Sequence, residues 1–183
     1  MPDQKKVSQN MLPKLTLVLG GAASGKSAFA EGLVLDAKLS SIYIATAQIY
    51  DEEMAQKVAR HRHQRGTGWQ TIEEPIAVAA ALGRVNADQA VLVDCATLWL
   101  TNIILGGLDL ADECSALTAA LADCAAPVVI VSNEVGQGIV PDNALSRRFR
   151  NAQGTLNQQI AGKADLVVAV MAGLPLVLKG QLP

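Results

Sequence analysis

Short, unbroken apolar runs alternate along this chain with longer stretches of helical periodicity, a pattern that predicts buried parallel strands covered by helices. The first run starts at Leu15 and feeds Gly20-Gly21-Ala22-Ala23-Ser24-Gly25-Lys26-Ser27. A helix is expected from Ser27 to about Lys38, with Phe29, Leu33 and Val34 inward. Ser40-Ser41 interrupts the pattern, and Ile42–Ala45 reads as a strand ending in the small and polar residues Thr46-Ala47-Gln48. Asp51 is placed to cap the next helix, Glu52 to about Arg65, whose first acids oppose its dipole. Trp69–Pro75 reads as an extended connection, and Pro75 as the start of a helix through about Asn86.

The second half repeats the alternation. Ala90–Cys95 is a run of the kind buried on both faces of a sheet, followed by a helix over Thr97–Asn102 and a break at Gly106-Gly107. An Ala/Leu-rich helix is expected from Asp112 to Ala126, then a strand over Pro127–Val131. That strand runs into the glycine-punctuated segment Ser132–Pro141. A helix from about Asn143 to Ile160 would turn Leu145, Phe149, Ala152, Leu156 and Ile160 inward, with Arg147, Arg148 and Arg150 on a solvated face. Asp165–Met171 and Pro175–Lys179 around Ala172-Gly173 predict a hairpin that adds one antiparallel edge strand. The class is α/β, with a mostly parallel sheet.

Composition narrows this picture. At 183 residues a single domain is expected over 14–183, preceded by a loosely held extension over 1–13. Half the residues are hydrophobic but only 3% aromatic, so the core must be built from Ala, Val, Leu and Ile. A net charge of −2 offers no basic excess for general nucleic-acid binding. Cys95, Cys114 and Cys124 are odd in number and lack C-x-x-C spacing, which points to buried free thiols rather than disulfides or zinc. With no apolar signal core at the N-terminus and no long charge-free apolar run, a soluble cytoplasmic protein without membrane insertion is expected.

The chemistry-bearing residues start with Gly20–Ser27, which matches G-x-x-x-x-G-K-[ST] between a strand and a helix. Backbone N–H groups of Gly20, Gly21, Ala22, Ala23, Ser24 and Gly25 can close around phosphate oxygens, Lys26 can reach the β- and γ-phosphates, and Ser27 can hold Mg²⁺. Asp94, closing a buried strand, is placed to join the Mg²⁺ shell; a plain strand-to-loop acid is the alternative. On the helix over Glu52–Arg65, Met54, Val58, His61 and Arg65 fall within about 60° of one another, while His63 points away. An inward His61 flanked by arginines is either a packing histidine, part of a solvated basic helix, or a neutral nucleophile beside phosphate-binding cations. The loop after Ser132 is either an ordinary turn or a substrate loop at the sheet edge, and whether Glu134 acts as a base stays open.

GGAASGKS, YIATA, the pair His61/Arg65, LVDCATLWLTN and SNEVGQGIVP occur in an order and spacing that resemble the bifunctional adenosylcobinamide kinase/adenosylcobinamide-phosphate guanylyltransferases of cobalamin biosynthesis. The resemblance runs from Leu15 to the C-terminus. It implies a P-loop NTPase fold of the RecA-like, three-layer kind, a homotrimer, and two reactions. In the first, ATP or GTP phosphorylates the aminopropanol hydroxyl of adenosylcobinamide. In the second, GMP from GTP passes to the adenosylcobinamide phosphate. Carried over by position, it makes His61 the guanylylated residue, with Arg62, His63, Gln64 and Arg65 along the nucleotide. It adds Ala45, Thr46 and Ala47 as nucleotide contacts, and Glu73 and Asp94 as nucleotide or metal contacts. Where many members carry histidine just before the nucleophile, this chain has Arg60. Two other readings compete: a small-molecule kinase without guanylylation, and a nucleotide-gated binding protein, although the N-K-x-D guanine-reading pattern is missing.

Overall fold

The computed structural model describes residues 11–48, Glu52, Gln56 and residues 68–183. Seven strands form one sheet: β1 (Leu15–Gly20), β2 (Ser40–Ala45), β3 (Trp69–Glu73), β4 (Gln89–Asp94), β5 (Val128–Asn133), β6 (Leu166–Met171) and β7 (Leu174–Lys179). The helices described in full are α1 (Lys26–Asp36), α2 (Val78–Leu82), α3 (Ala96–Leu105), α4 (Leu110–Asp123) and α5 (Ala144–Lys163). Strand order is β3-β2-β4-β5-β1-β6-β7. Every pairing is parallel except β6 with β7, which is the antiparallel hairpin expected from the sequence.

Strand alternation splits the core into two layers. Leu15, Leu17, Ile42, Ile44, Val91, Val93, Val128 and Ile130 face one side, packed with Val78, Trp99, Leu117, Leu156 and Ile160 from α2 to α5. Val18, Tyr43, Leu92, Val129, Val131 and Val168 face the other, packed with Ala30, Leu33 and Val34 of α1. Both faces of the central strands are therefore dry, which is why those strands read as continuous apolar runs. Cys95, Cys114 and Cys124 are buried free thiols, as their spacing suggested. Among the described residues no helix is long and apolar enough to cross a membrane.

Several boundaries differ from expectation. Trp69–Glu73, expected as a connection, is a strand; as a half-exposed edge it needs no apolar run, so its polar Gln70, Thr71 and Glu73 concealed it. The helix expected from Pro75 to Asn86 shrinks to Val78–Leu82, because Glu74 turns the chain by accepting from the N–H groups of Ile76 and Ala77. Ser40 and Ser41 belong to β2 rather than interrupting it, paired with Gln89 and Ala90 of β4. α4 begins at Leu110 instead of Asp112, since the Asp109 carboxylate caps the N–H groups of Ala111 and Asp112. Leu145 is 53% exposed rather than inward, because the first turn of α5 precedes the core contact that begins at Phe149. Of the helix expected over Glu52–Arg65, only Glu52 and Gln56 are described, and both are helical.

Candidate active site

The carboxyl ends of β1, β2, β3, β4 and β5 converge on one edge. Gly20 is in register with Asn133, and Ala45 with both Glu73 and Asp94. A parallel sheet places ligands at this edge. Sequence separation thus becomes adjacency for most of the expected site residues.

The phosphate-loop segment leaves β1 at Gly20 and enters α1 through Gly25, whose φ of 93° suits glycine and which serves as N-cap without a side-chain cap. A Cβ on Gly20 would collide with Ser24 Oγ and sit 2.7 Å from the Val170 carbonyl, so the loop can close there only around glycine. Gly173 N–H donates to the Ser24 carbonyl at 2.9 Å, tying the loop to the β6–β7 turn. Lys26 Nζ donates to the Gly21 carbonyl at 3.0 Å, spanning the loop. Gly21, Ala22, Ala23 and Gly25 are exposed, while Ser24, Lys26 and Ser27 are half-buried. Open backbone N–H groups at a helix N-terminus with a cation alongside make an anion cradle.

Beside the cradle, β2 and β4 are stitched together beyond their last paired residues. Thr46 is fully buried; its Oγ1 accepts from Cys95 N–H at 2.7 Å and donates to the Cys95 carbonyl at 2.8 Å. The Asp94–Cys95 peptide is cis. Tyr43 donates its hydroxyl to Asp94 Oδ2 at 2.9 Å, fixing the carboxylate's rotation at the strand end. Asn102, from α3, donates to the Thr46 carbonyl at 2.8 Å and the Pro75 carbonyl at 2.9 Å, clamping the exits of β2 and β3. Burial, with the neighbouring Asp94 carboxylate assisting, pushes the Cys95 thiol up to about 11, which keeps it protonated and unreactive. Ala45 and Ala47 are half-buried and Glu73 is exposed at the same rim.

For Mg²⁺ the donors present are hard oxygens, the Ser27 hydroxyl and the Asp94 carboxylate, which suit a magnesium ion held jointly with nucleotide phosphates. Among the described residues no cluster of three or more His, Cys, Asp or Glu side chains could hold a metal. A phosphate-bound Mg²⁺ needs none.

On the other flank, Glu134 N–H donates to the Gly20 carbonyl at 3.2 Å, so the loop after β5 starts against the phosphate loop. The Glu134 carboxylate accepts from the Gly136 N–H and closes its own turn. Arg147 and Arg148 lie on the solvated face expected and Arg150 is half-buried; from there Arg147 donates to the carbonyls of Pro141 and Asp142, and Arg150 to that of Gly136, tying this loop to α5. Below, Gln153 and Asn157 are buried in α5 and bonded with Ser132, and Asn157 donates to the Asn133 carbonyl. Tyr43, Asn102 and these two amides were missed as site-shaping residues. Polar side chains inside otherwise apolar patterns were their only signal.

The expected nucleophile His61 and its neighbours Arg62, His63, Gln64 and Arg65 lie outside the described residues.

Comparison with known proteins adds the following. Residues 16–178 match the family described as cobinamide kinase / cobinamide phosphate guanyltransferase. The chain is 46% identical over 168 residues to the bifunctional adenosylcobalamin biosynthesis protein CobP of Pseudomonas aeruginosa, covering 90% of this chain and 97% of that one. It is 40% identical over 184 residues to the CobU protein of Salmonella typhimurium, covering 90% and 99%. Among solved structures, the flagellar accessory protein FlaH of Methanocaldococcus jannaschii aligns with a TM-score of 0.52 at 13% identity, over 93% of this chain and 80% of that one. A Pyrococcus horikoshii protein, PH0250, aligns with a TM-score of 0.54 at 10% identity, over 93% and 88%. These two likenesses concern the fold alone.

Proposed function

This chain belongs to the cobinamide kinase / cobinamide phosphate guanyltransferase family, and from that premise we propose how its residues divide the two transfers. The protein is a bifunctional enzyme of adenosylcobalamin biosynthesis, with a corrinoid as acceptor and nucleoside triphosphates as donors. One observation carries the assignment of the donor site: the Gly20–Ser27 cradle, spanned by Lys26, shares the sheet edge with Thr46, Glu73 and Asp94.

In the kinase step the aminopropanol hydroxyl of adenosylcobinamide attacks the γ-phosphorus of ATP or GTP, and the nucleoside diphosphate leaves. Gly20 to Gly25 bind the phosphates through backbone N–H groups, and Lys26 stabilises charge on the transferring group. Ser27 and Asp94 would hold Mg²⁺, which neutralises phosphate charge. In the guanylyl step a His61 ring nitrogen attacks the α-phosphorus of GTP and pyrophosphate leaves. An oxygen of adenosylcobinamide phosphate then attacks the guanylyl phosphorus and releases His61. Arg62, His63, Gln64 and Arg65 line the nucleotide, as do Ala45, Ala47 and Glu73 at the strand exits, with the buried Thr46 holding the ends of β2 and β4 behind them.

We further propose one catalytic domain over 14–183, with residues 1–13 as an extension, working in the cytoplasm as a homotrimer. Support for association comes from β7, where Leu174, Leu176, Val177 and Leu178 are all exposed on an edge strand. Equilibrium sedimentation tests the trimer, and a monomer at micromolar concentration would refute it. The covalent step is tested by incubation with α-³²P-GTP: an acid-labile, base-stable label is expected on the wild type and none on His61→Ala. Label retained on His61→Ala would refute the assignment of the nucleophile.

A further inference from the structure

A groove of about 610 Å³ runs between α5 and the loop after β5, lined by Gly136 and Val140 from the loop and by Asn151, Gly154, Thr155 and Gln158 from the helix. Arg147 and Arg150 form its remaining wall. No residue of the donor site lines it, yet its loop wall begins at Glu134, bonded to Gly20 of the phosphate cradle. We propose that this groove is the docking site of the corrinoid acceptor, an inference that rests on the family reading above.

The chemistry of the lining fits that class of ligand. Cobinamide is a flat, largely apolar macrocycle rimmed by acetamide and propionamide groups. Such a rim asks for neutral donors and acceptors arranged along a line, and an apolar ring face asks for aliphatic contact. Asn151, Thr155 and Gln158 are exposed at helical spacing on one stripe of α5, and two of the three are amides. On the loop wall Val140 is 61% exposed, an aliphatic side chain outside the protein's own core. A guanidinium carries five donors, and Arg150 commits one of them to the Gly136 carbonyl, so further donors remain for amide carbonyls or an acceptor phosphate.

Gly154 supplies an independent observation. It lies near the middle of α5, where glycine costs about 1 kcal/mol relative to alanine. A Cβ there would meet nothing within 4 Å, so no packing within the chain calls for glycine. Its bare backbone instead gives the groove a floor that a flat ligand can approach closely. At 610 Å³ the groove is open rather than enclosing, so it would seat one edge of the macrocycle and leave the rest to solvent.

The test compares wild type with Gly154→Trp, which fills the groove, and with Asn151→Ala/Gln158→Ala, which removes its amides at exposed positions. Retention of cobinamide is read by equilibrium dialysis using corrinoid absorbance, alongside KM for adenosylcobinamide, KM for ATP and self-labelling by α-³²P-GTP. We expect at least a tenfold loss of corrinoid retention and a matching rise in its KM, with KM for ATP and self-labelling within twofold of wild type. Corrinoid retention within twofold of wild type in the double variant would overturn the proposal, as would a loss confined to nucleotide binding. If Gly154→Trp fails to fold, the double variant decides alone. Wild-type protein that binds nucleotide but neither retains nor phosphorylates any corrinoid would instead refute the family reading, and the groove assignment with it.

Discussion

Thr46 and Cys95 exchange two hydrogen bonds, with the threonine hydroxyl accepting from the Cys95 N–H at 2.7 Å and donating to its carbonyl at 2.8 Å. One buried hydroxyl thereby satisfies both backbone groups of a residue just past β4, and it holds the ends of β2 and β4 in the spacing the site needs.

Removing that hydroxyl without changing the side chain's shape should be costly. Thr46→Val leaves the buried Cys95 N–H unpaired while the Cys95 carbonyl keeps the Trp99 N–H, an expected loss of about 1–3 kcal/mol in urea unfolding. Thr46→Ser should restore most of it. Equal destabilisation by valine and serine would show that shape, not the hydroxyl, matters.

Gly20 tolerates no side chain. The Cβ of Gly20→Ala would collide with Ser24 Oγ and meet the backbone oxygen of Val170 at 2.7 Å, and that oxygen belongs to a buried strand. The expected result is a loss of about 1–3 kcal/mol of stability together with weakened nucleotide binding. Retained wild-type affinity in a fluorescent-nucleotide titration would contradict it.

Lys26 should separate chemistry from folding. Its ammonium spans the cradle to the Gly21 carbonyl from a half-buried position. Lys26→Met is expected to lower phosphoryl transfer by about 100-fold or more while leaving the melting temperature within a few degrees. Steady-state kinetics beside a thermal scan checks both halves.

Cys95 makes stability depend on alkaline pH. Its thiol rises from an ordinary 9.0 to about 11 in the folded protein, chiefly through burial and secondarily through Asp94. Between those values the unfolded chain releases the proton and the folded chain keeps it, so folding stability should fall as pH rises from 9 to 11. Urea midpoints across that window should drop for wild type and drop less for Cys95→Ala. Iodoacetamide at pH 8 should leave Cys95 unmodified until the protein unfolds.

Much of this was legible in the amino-acid order because the central strands are dry on both faces. Ala90-Val91-Leu92-Val93 and Val128-Val129-Ile130-Val131 are short, β-branched apolar runs that read as buried strands, and Gly20–Ser27 needs nothing beyond a strand before it and a helix after it to make a cradle. The terminal hairpin was equally plain from Ala172-Gly173 between two β-branched or apolar runs. β3 was not, because an edge strand exposed along much of its length carries no periodic signal.

Sequence alone determined the local elements whose signals lie within a few residues: apolar runs, the phosphate loop and the order of motifs. Tertiary structure decided which strand ends meet. Ala45 beside Glu73 and Asp94, Tyr43 on Asp94, Asn102 across Thr46 and Pro75, and the bonds from Arg147 and Arg150 to the loop after β5 all join residues from different elements. Such contacts depend on strand order and on where a buried polar group finds its partner. Those are properties of the packed core as a whole, which no short stretch of chain encodes by itself.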